Sequence, residues 1–331
     1  MDYGKLLTRA FEITFKHRAL WVFGILFALF GGSKSSSPGF GFSSGARGNR
    51  NIDEMVPTMP RFDQQTIVIL IATITIFILV WFLLMLILRF VTRGALIGLV
   101  NDLETREKIP TVRAGFEIGL SKFKSLLGIG LIIKAPISVA ALALVLAAAT
   151  PFLIALAASC AERTINFNPL TITGIASSLA LLCCAGLCLW IVQVVVYPFY
   201  QFFTRACVIG ARGSRDAIRE GYSIVRAHLG KVIVLYVLDF AIGLGYGFLM
   251  IPIVLVLLGL AAGAGALTYL LAQSIGAAIA VGGIAAIPMF AILLIISGIF
   301  ETFESTLWTE AYLAVTQSPP IQSIATEPAQ T

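Results

Sequence analysis

The sequence predicts an all-α membrane protein with six transmembrane helices, because of its composition, its apolar runs and an internal repeat. Of its 331 residues, 58% are hydrophobic and only 12% are charged, whereas soluble domains carry about 25% charged residues. Several apolar runs exceed the roughly 20 residues that cross a bilayer. A soluble core cannot bury so many long apolar helices, so lipid is the expected solvent for much of the chain.

The first elements are a short amphipathic helix and a short apolar run. Apolar side chains recur at helical spacing in residues 3–18, and the charged ones lie mostly off that stripe, which is typical of a helix in the membrane interface. Residues 19–31 are interpreted as the first span, not as a signal-peptide core, because a long region with acidic residues precedes them. The Ser-, Gly- and Pro-rich segment 32–65 is expected to form a mobile extracytoplasmic loop.

Five further apolar runs are predicted to span the membrane: 66–88, 125–159, 171–203, 232–260 and 267–300. Prolines inside these runs do not exclude them, because neighbouring helices satisfy the carbonyls that proline frees. The chain is therefore predicted to form a single integral membrane domain over 1–316, followed by a disordered cytoplasmic tail over 317–331.

Positive charges are distributed unevenly between the connecting segments. Those on one predicted side, which include 89–124 and 204–231, carry 17 of the 23 Lys and Arg residues, and the other side carries five. Because positively charged loops stay in the cytoplasm, both termini are predicted to be cytoplasmic, with the protein in the cell membrane. No long basic stretch is interleaved with aromatic residues, so the charges favour anionic lipid over nucleic acid. The predicted contacts with lipid headgroups are Arg9, Lys16, Arg18, Lys122, Lys124, Arg219, Arg226 and Lys231.

An internal repeat is the most informative feature of the chain. FVTRGALIG (90–98) matches FFTRACVIG (202–210), and RAGFEIGLSKFKSLL (113–127) matches REGYSIVRAHLGKVI (219–233). The N-terminal RAFEITFKHRALW (9–21) shares the Phe-Glu-Ile trio and the basic exit into a span.

The repeat predicts three copies of one unit, approximately 1–90, 91–204 and 205–316. Each unit is predicted to be a cytoplasmic amphipathic interfacial helix followed by a hairpin of two spans. All three hairpins have the same orientation, so the repeat is parallel. The alternating-access argument for inverted repeats therefore does not apply to this chain.

The pattern resembles a group of bacterial membrane proteins. The opening MDYGKLLTRAFEITFKHRALWVFG, the FxTRxxxIG segments and the closing FESTLWTEAYLAV (303–315) resemble the membrane domain attached to some glycerophosphodiester phosphodiesterases, and related stand-alone families of unknown function. This chain lacks a soluble phosphodiesterase domain and the acidic and histidine cluster that would bind a catalytic metal. The resemblance therefore implies the membrane architecture but not the enzymatic activity.

Lys134 and Asp239 are the ionisable residues predicted to lie inside spans. At 1.5 Å per residue, Lys134 lies about 13 Å beyond Ser125 and Asp239 about 12 Å beyond Lys231, at almost equivalent positions in two copies. Equal depth and opposite charge predict an intramembrane ion pair between the third and fifth spans. Two alternatives remain open: separate snorkelling of the two side chains, and a substrate or proton pathway.

Two mid-span glutamines, Gln193 and Gln273, are candidates for hydrogen bonds across helices or for ligand contact. Glu301 and Glu304 lie three residues apart and are expected to face the cytoplasmic arginines, not to act as an acid–base pair. GxxxG spacings at Gly243/Gly247 and Gly259/Gly263 leave a homo-oligomer or a membrane-protein partner open.

No catalytic, metal or cofactor motif is present in the sequence. It contains no HExxH, Walker A or DxD-type motif, and the five cysteines are expected to be free thiols. A membrane-embedded accessory or scaffold protein at the cytoplasmic lipid interface is the favoured function. The alternative is a small-molecule or lipid transporter, and an enzyme is the least favoured. A polar cavity that reaches the midplane and is lined by the intramembrane charges or glutamines would favour transport, and a dry bundle would favour a scaffold.

Overall fold

The computed structural model describes residues 2–31, 64–106, 108–161, 169–211 and 213–317. Within these ranges the chain forms eight helices and no strand, which confirms the all-α prediction. The helices are α1 (Tyr3–Lys16), α2 (Ala19–Gly31), α3 (Gln64–Arg106), α4 (Val112–Ala161), α5 (Pro169–Ile209), α6 (Ser214–Ala227), α7 (Leu229–Ala272) and α8 (Ile275–Gln317). The predicted loop 32–65, apart from Gln64 and Gln65, and the predicted tail 317–331, apart from Gln317, lie outside the described residues.

Five of the described helices, α3, α4, α5, α7 and α8, are long and apolar enough to cross a membrane. The predicted first span, α2, has only 13 residues, which is about 20 Å of helix against a hydrocarbon thickness of about 30 Å. It follows α1 at a bend of 97°. A sixth span exists only if this bent pair counts as one.

The long helices continue well past the apolar runs that predicted them. α3 has 43 residues and α4 has 50, so the segment 89–124 is almost entirely helical. The approximate unit boundaries predicted at 90/91 and 204/205 fall inside α3 and α5, and the division into three units stays a prediction. Hydropathy marks where a helix meets lipid, whereas helix ends depend on backbone signals such as Pro110, which precedes α4 and has no amide hydrogen to donate.

The second predicted interfacial helix does not form a separate element. Residues 113–127 are continuous with the rest of α4, whereas α1 and α6 end at the cap residues His17 and His228 before the next helix begins. A change from an amphipathic to a wholly apolar pattern alters the surroundings of a helix but does not interrupt its backbone hydrogen bonds. The hydropathy pattern therefore does not show whether the helix ends between an amphipathic segment and the apolar segment after it.

The buried core occupies one end of the long helices. It is formed by the last part of α3 around Ala95 and Ile97, of α5 around Phe202 and Ala206, and of α8 around Trp308, together with α1, α6 and the beginnings of α4 and α7. The remaining apolar halves are exposed, as along residues 69–84 of α3. Such large exposed apolar surfaces are expected where the surrounding medium is lipid.

The helix contacts close into a ring. From α2 to α8, each helix contacts the one that follows it in the chain. The ring is closed by α8, which contacts both α1 and α2. The three helices α3, α5 and α8 also contact one another, so they form the centre of the arrangement.

A close crossing of α2 and α8 requires two glycines. A Cβ atom on Gly24 would overlap the Gly298 carbonyl and the Thr302 side chain, and a Cβ atom on Gly298 would overlap the backbone of Ile25. By contrast, a Cβ atom on any glycine of the two GxxxG spacings, 243/247 and 259/263, would have no neighbour within 4 Å. Those spacings make no close helix contact within the described chain.

Candidate functional site: a polar cavity between the helices

A cavity of about 370 Å³ lies between the central helices and α4. Along α5 its lining runs from Gln193 to Arg205, a rise of about 18 Å at 1.5 Å per residue. It lies at the boundary between the buried end of the helices and their exposed apolar halves. Its polar and charged lining residues are Arg89, Arg93, Lys134, Ser138, Gln193, Tyr197, Tyr200, Gln201, Arg205, Glu301, Glu304 and Ser305.

Two arginines from different helices meet at one acceptor. Arg93 of α3 donates to the side-chain oxygen Oε1 of Gln201 at 2.9 Å, and Arg205 of α5 donates to the same atom at 2.6 Å. Arg205 also donates to the backbone carbonyls of Gln201 and Ser305, at 2.9 and 3.0 Å. Arg205 is only 1% exposed, so these bonds replace the hydration that a buried guanidinium loses.

The network continues from Gln201 to a carboxylate on α8. The Gln201 amide donates to the hydroxyl oxygen of Tyr197, and that hydroxyl donates to Oε1 of Glu304. Both Gln201 and Glu304 are buried. The chain of hydrogen bonds therefore links α3, α5 and α8 through groups that are hidden from solvent, where each lost partner is costly.

The ring of Tyr200 attracts cations from two helices. The ammonium nitrogen of Lys134, on α4, lies 4.3 Å from the ring centroid, and the guanidinium carbon of Arg93 lies 4.5 Å from it. Arg93 also lies 5.9 Å from the ring centroid of Phe27. Aromatic faces stabilise such cations without neutralising them, so the cavity keeps a positive charge beside Tyr200.

The structure places the four predicted intramembrane residues in different surroundings. Lys134 and Gln193 line the cavity. Asp239 is buried on α7, and its pairing with Lys134 stays a prediction. The mid-span placement of Gln273 is wrong: this residue ends α7 in a left-handed conformation and lies exposed in the turn before α8. An apolar run continues across that turn, so hydropathy alone does not reveal it.

The arginines of the cavity were not predicted from the sequence as site residues. Arg89, Arg93 and Arg205 were counted among the charges of cytoplasmic connections, whereas they lie inside α3 and α5 and line the cavity. One signal could have identified two of them. Arg93 and Arg205 are the arginines of the duplicated FxTR motif, and an internal repeat that retains a charge beside apolar residues indicates a specific partner for it.

The predicted headgroup cations lie at the surface to different degrees. Six of the eight are exposed, and Lys122 and Lys231 are half-buried. Arg9 also forms an ion pair, in which its Nη2 atom lies 2.9 Å from Oε1 of Glu104 on α3. The carboxylate of Glu104 raises the pKa of the Arg9 guanidinium, so Arg9 ties α1 to α3 as well as facing outward.

α1 has two apolar faces where the sequence predicted one stripe. Leu6, Ala10 and Ile13 are buried against the protein, whereas Phe11 and Phe15 are exposed, with ring centroids 4.4 Å apart. A helix that packs on protein with one face can offer aromatic side chains to lipid with the next.

The described residues thus define a helical protein whose helices suit a membrane and whose centre holds a charged cavity. The chain belongs to a family of unknown function (DUF7544), whose model matches residues 6–307. No curated protein and no solved structure matches the chain. The resemblance to the membrane domain of glycerophosphodiester phosphodiesterases finds no support in these comparisons. Among the described residues, no group of three or more His, Cys, Asp or Glu is placed to hold a metal ion.

Proposed function

We propose that this protein is a small-molecule or lipid transporter of the cytoplasmic membrane, with the cavity as its substrate site. The observation that supports this function is the cavity itself, which is lined by Lys134 and Gln193 at the end that faces the apolar halves of the helices. Gln193 lies 10 residues before the end of the predicted apolar run 171–203, or about 15 Å inside it. A polar cavity at that depth serves a substrate better than it serves a scaffold.

The proposed architecture is three parallel hairpins around a pseudo-threefold axis, with both termini cytoplasmic. The mutual contacts of α3, α5 and α8 support it, because each is the second helix of a predicted hairpin. The meeting of Arg93 with Arg205 supports it as well, since both occupy the same position of the repeat. The excess of Lys and Arg on the proposed cytoplasmic side supports the orientation.

Prolines next to the cavity support bending of the helices that line it. Pro136 lies two residues from Lys134, and Pro198 directly follows Tyr197; both are inside helices. A proline inside a helix leaves the carbonyl four residues earlier without its usual donor and weakens the helix locally. The helix segments on either side of the cavity can therefore change their relative angle at low cost.

A scaffold role at the lipid interface remains the competing proposal. The exposed aromatic pair of α1 and the exposed cations Lys16 and Arg18 favour contact with anionic lipid. Such contact is compatible with transport too, so it does not separate the two functions. The proposed partners are therefore anionic membrane lipids in either case, and an enzymatic role has no supporting constellation.

Transport requires the cavity to open to both sides of the membrane, which can be tested without knowing the substrate. Ser138 lines the cavity, and its neighbour Val139 is 68% exposed on the apolar surface of α4. In a background with all five cysteines replaced, Ser138→Cys and Val139→Cys are treated with a membrane-impermeant maleimide in sealed vesicles of each orientation. We expect Ser138→Cys to react from both sides and Val139→Cys to react from neither.

The outcomes separate the proposals. Reaction of Ser138→Cys from one side only would contradict transport and identify a one-sided binding cavity. Protection from both sides would contradict an accessible cavity and favour the scaffold. Reaction of Val139→Cys equal to that of Ser138→Cys would show that the surface of α4 is in water, which contradicts the membrane placement.

A further inference from the structure

The charges of the cavity are unbalanced. Four cationic side chains line it: Arg89 and Arg93 from α3, Lys134 from α4 and Arg205 from α5. Two carboxylates face them, both from α8. Counting Asp239 of α7 as well gives three carboxylates against four cations, so positive charge is still in excess. The four cations come from three helices and line one volume.

The donors of the cavity are not all used. Nε of the buried Arg205 has no hydrogen-bond partner among the described residues. The described contact of the Lys134 ammonium group is the face of the Tyr200 ring, which leaves its three N–H donors without a described acceptor. An unpaired donor on a buried cation is costly, and native proteins commonly resolve such a cost with a ligand or ordered water.

Mutual repulsion adds to this cost. The Lys134 ammonium group and the Arg93 guanidinium both lie within 4.5 Å of the centroid of the Tyr200 ring. A neutral amide, that of Gln201, holds Arg93 beside Arg205. In surroundings of low dielectric constant, repulsion between like charges is stronger than in water. A bound anion would remove the repulsion and accept hydrogen bonds from several of these donors at once.

The rest of the lining indicates an amphipathic ligand of modest size. Phe27, Leu96, Ile137 and Val196 contribute apolar surface beside the cations, and about 370 Å³ falls in the range of small-molecule sites. Arg89 directly follows the predicted apolar run 66–88 of α3. This end of the cavity therefore lies at the edge of the hydrocarbon core, next to the layer of phospholipid headgroups, whereas Gln193 marks its deep end.

We infer that the cavity binds an oxyanion of the phosphate class, held by Arg89, Arg93, Lys134 and the unpaired donor of Arg205. The phosphate could belong to a phospholipid headgroup or be free in solution, because both present the same oxygens. This inference names the substrate class of the transport proposed above and concerns the same cavity.

Ligand-dependent thermal stability of the full-length protein in a neutral detergent tests the inference. The probes are inorganic phosphate, dihexanoylphosphatidylglycerol and the phosphate-free dihexanoylglycerol, with chloride at matched ionic strength. Two variants are compared: Lys134→Gln, which removes a cavity cation, and Arg113→Gln, which removes an exposed cation of the same helix. Arg89→Gln provides a second cavity variant should Lys134→Gln fail to fold, as judged by gel filtration and circular dichroism.

We expect at least one phosphate-bearing probe to raise the melting temperature of the wild type and of Arg113→Gln. Dihexanoylglycerol and chloride should not raise it. In a cavity variant the apparent affinity should fall by about tenfold or more, as for the loss of one charge-assisted hydrogen bond. Stabilisation by the lipid alone assigns a phospholipid headgroup, and stabilisation by inorganic phosphate alone assigns free phosphate. Equal stabilisation by dihexanoylglycerol, or equal affinity in Lys134→Gln and Arg113→Gln, would overturn the inference.

The failure of this inference is distinguishable from the failure of transport. Phosphate-dependent stabilisation together with one-sided labelling of Ser138→Cys would retain the ligand and remove transport. Two-sided labelling without any phosphate dependence would retain transport and remove the ligand.

Discussion

Arg93 and Arg205 belong to two similar FxTR segments and donate to the same atom, Oε1 of Gln201. The residue before each segment makes this possible. FVTRGALIG follows Arg89, whereas FFTRACVIG follows Gln201. A second arginine at position 201 would have added another positive charge in place of an acceptor. The difference between the two segments at this position therefore allows the two arginines to approach each other.

Gln201→Leu should destabilise the protein because it leaves two arginines without their shared acceptor. Hydrogen bonds to charged groups contribute about 1.5–3 kcal/mol each, so we expect a loss of about 3 kcal/mol or more in the free energy of unfolding. Gln201→Glu should cost less, since a carboxylate still accepts both bonds. Reversible unfolding in mixed detergent micelles measures the difference.

Gln193→Leu is the matched control for that substitution. Gln193 lines the same cavity on the same helix but is exposed, so its loss should change the free energy of unfolding by less than about 0.5 kcal/mol. Equal losses at positions 193 and 201 would mean that the shared acceptor has no special role.

Gly298→Ala should weaken the crossing of α2 and α8. The added methyl group would overlap the backbone of Ile25, which cannot move aside as a side chain could. Overpacking of this kind typically costs about 1–3 kcal/mol. The same unfolding measurement applies, with Gly247→Ala as the control, because open space surrounds Gly247 and alanine favours a helix by up to about 1 kcal/mol. A stable Gly298→Ala variant would show that α2 does not pack this closely on α8.

The ion pair of Arg9 with Glu104 should contribute modestly to the docking of α1. Arg9 is 51% exposed and Glu104 is 20% exposed, so screening limits the coupling to about 0.2–1 kcal/mol. A double-mutant cycle with Arg9→Gln and Glu104→Gln measures it, and the coupling should shrink as salt is added. A coupling that is independent of salt would indicate that the contact is not mainly electrostatic.

The orientation of the chain predicts a clear pattern of labelling. Single cysteines at positions 106 and 215, which lie at the end of α3 and in the first turn of α6, should react with an impermeant reagent only from the cytoplasmic side. Intact cells and inside-out vesicles supply the two sides, and Ser138→Cys provides the comparison inside the cavity. Reaction at either position in intact cells would reverse the proposed topology.

The pairing of Lys134 with Asp239 has its own test. Reversing either charge alone should impair folding, and reversing both should restore it if the two side chains pair. Expression and monodispersity in detergent report the outcome. A double variant that folds no better than the single ones would contradict the ion pair. The Tyr200 ring would then remain as the described contact of Lys134.

Many residues of the candidate site could not be predicted from the sequence. Lys134 and Gln193 were identifiable because a polar group inside an apolar run is conspicuous. Arg93 and Gln201 were not, because each lies at the end of such a run, where charged and polar residues are ordinary. Gln273 was misplaced for the complementary reason, since the residues on both sides of its turn are apolar.

The sequence by itself determined that the helices are apolar and long enough for a membrane, because solvent preference adds up over about 20 consecutive residues and survives without tertiary detail. It also revealed the FxTR duplication, which needs only comparison of the chain with itself. The tertiary structure alone decided which charges meet. Arg93 and Gln201 are separated by more than one hundred positions, and their hydrogen bond depends on where α3 crosses α5. That crossing is set by the packing of side chains from several helices, which no local pattern encodes.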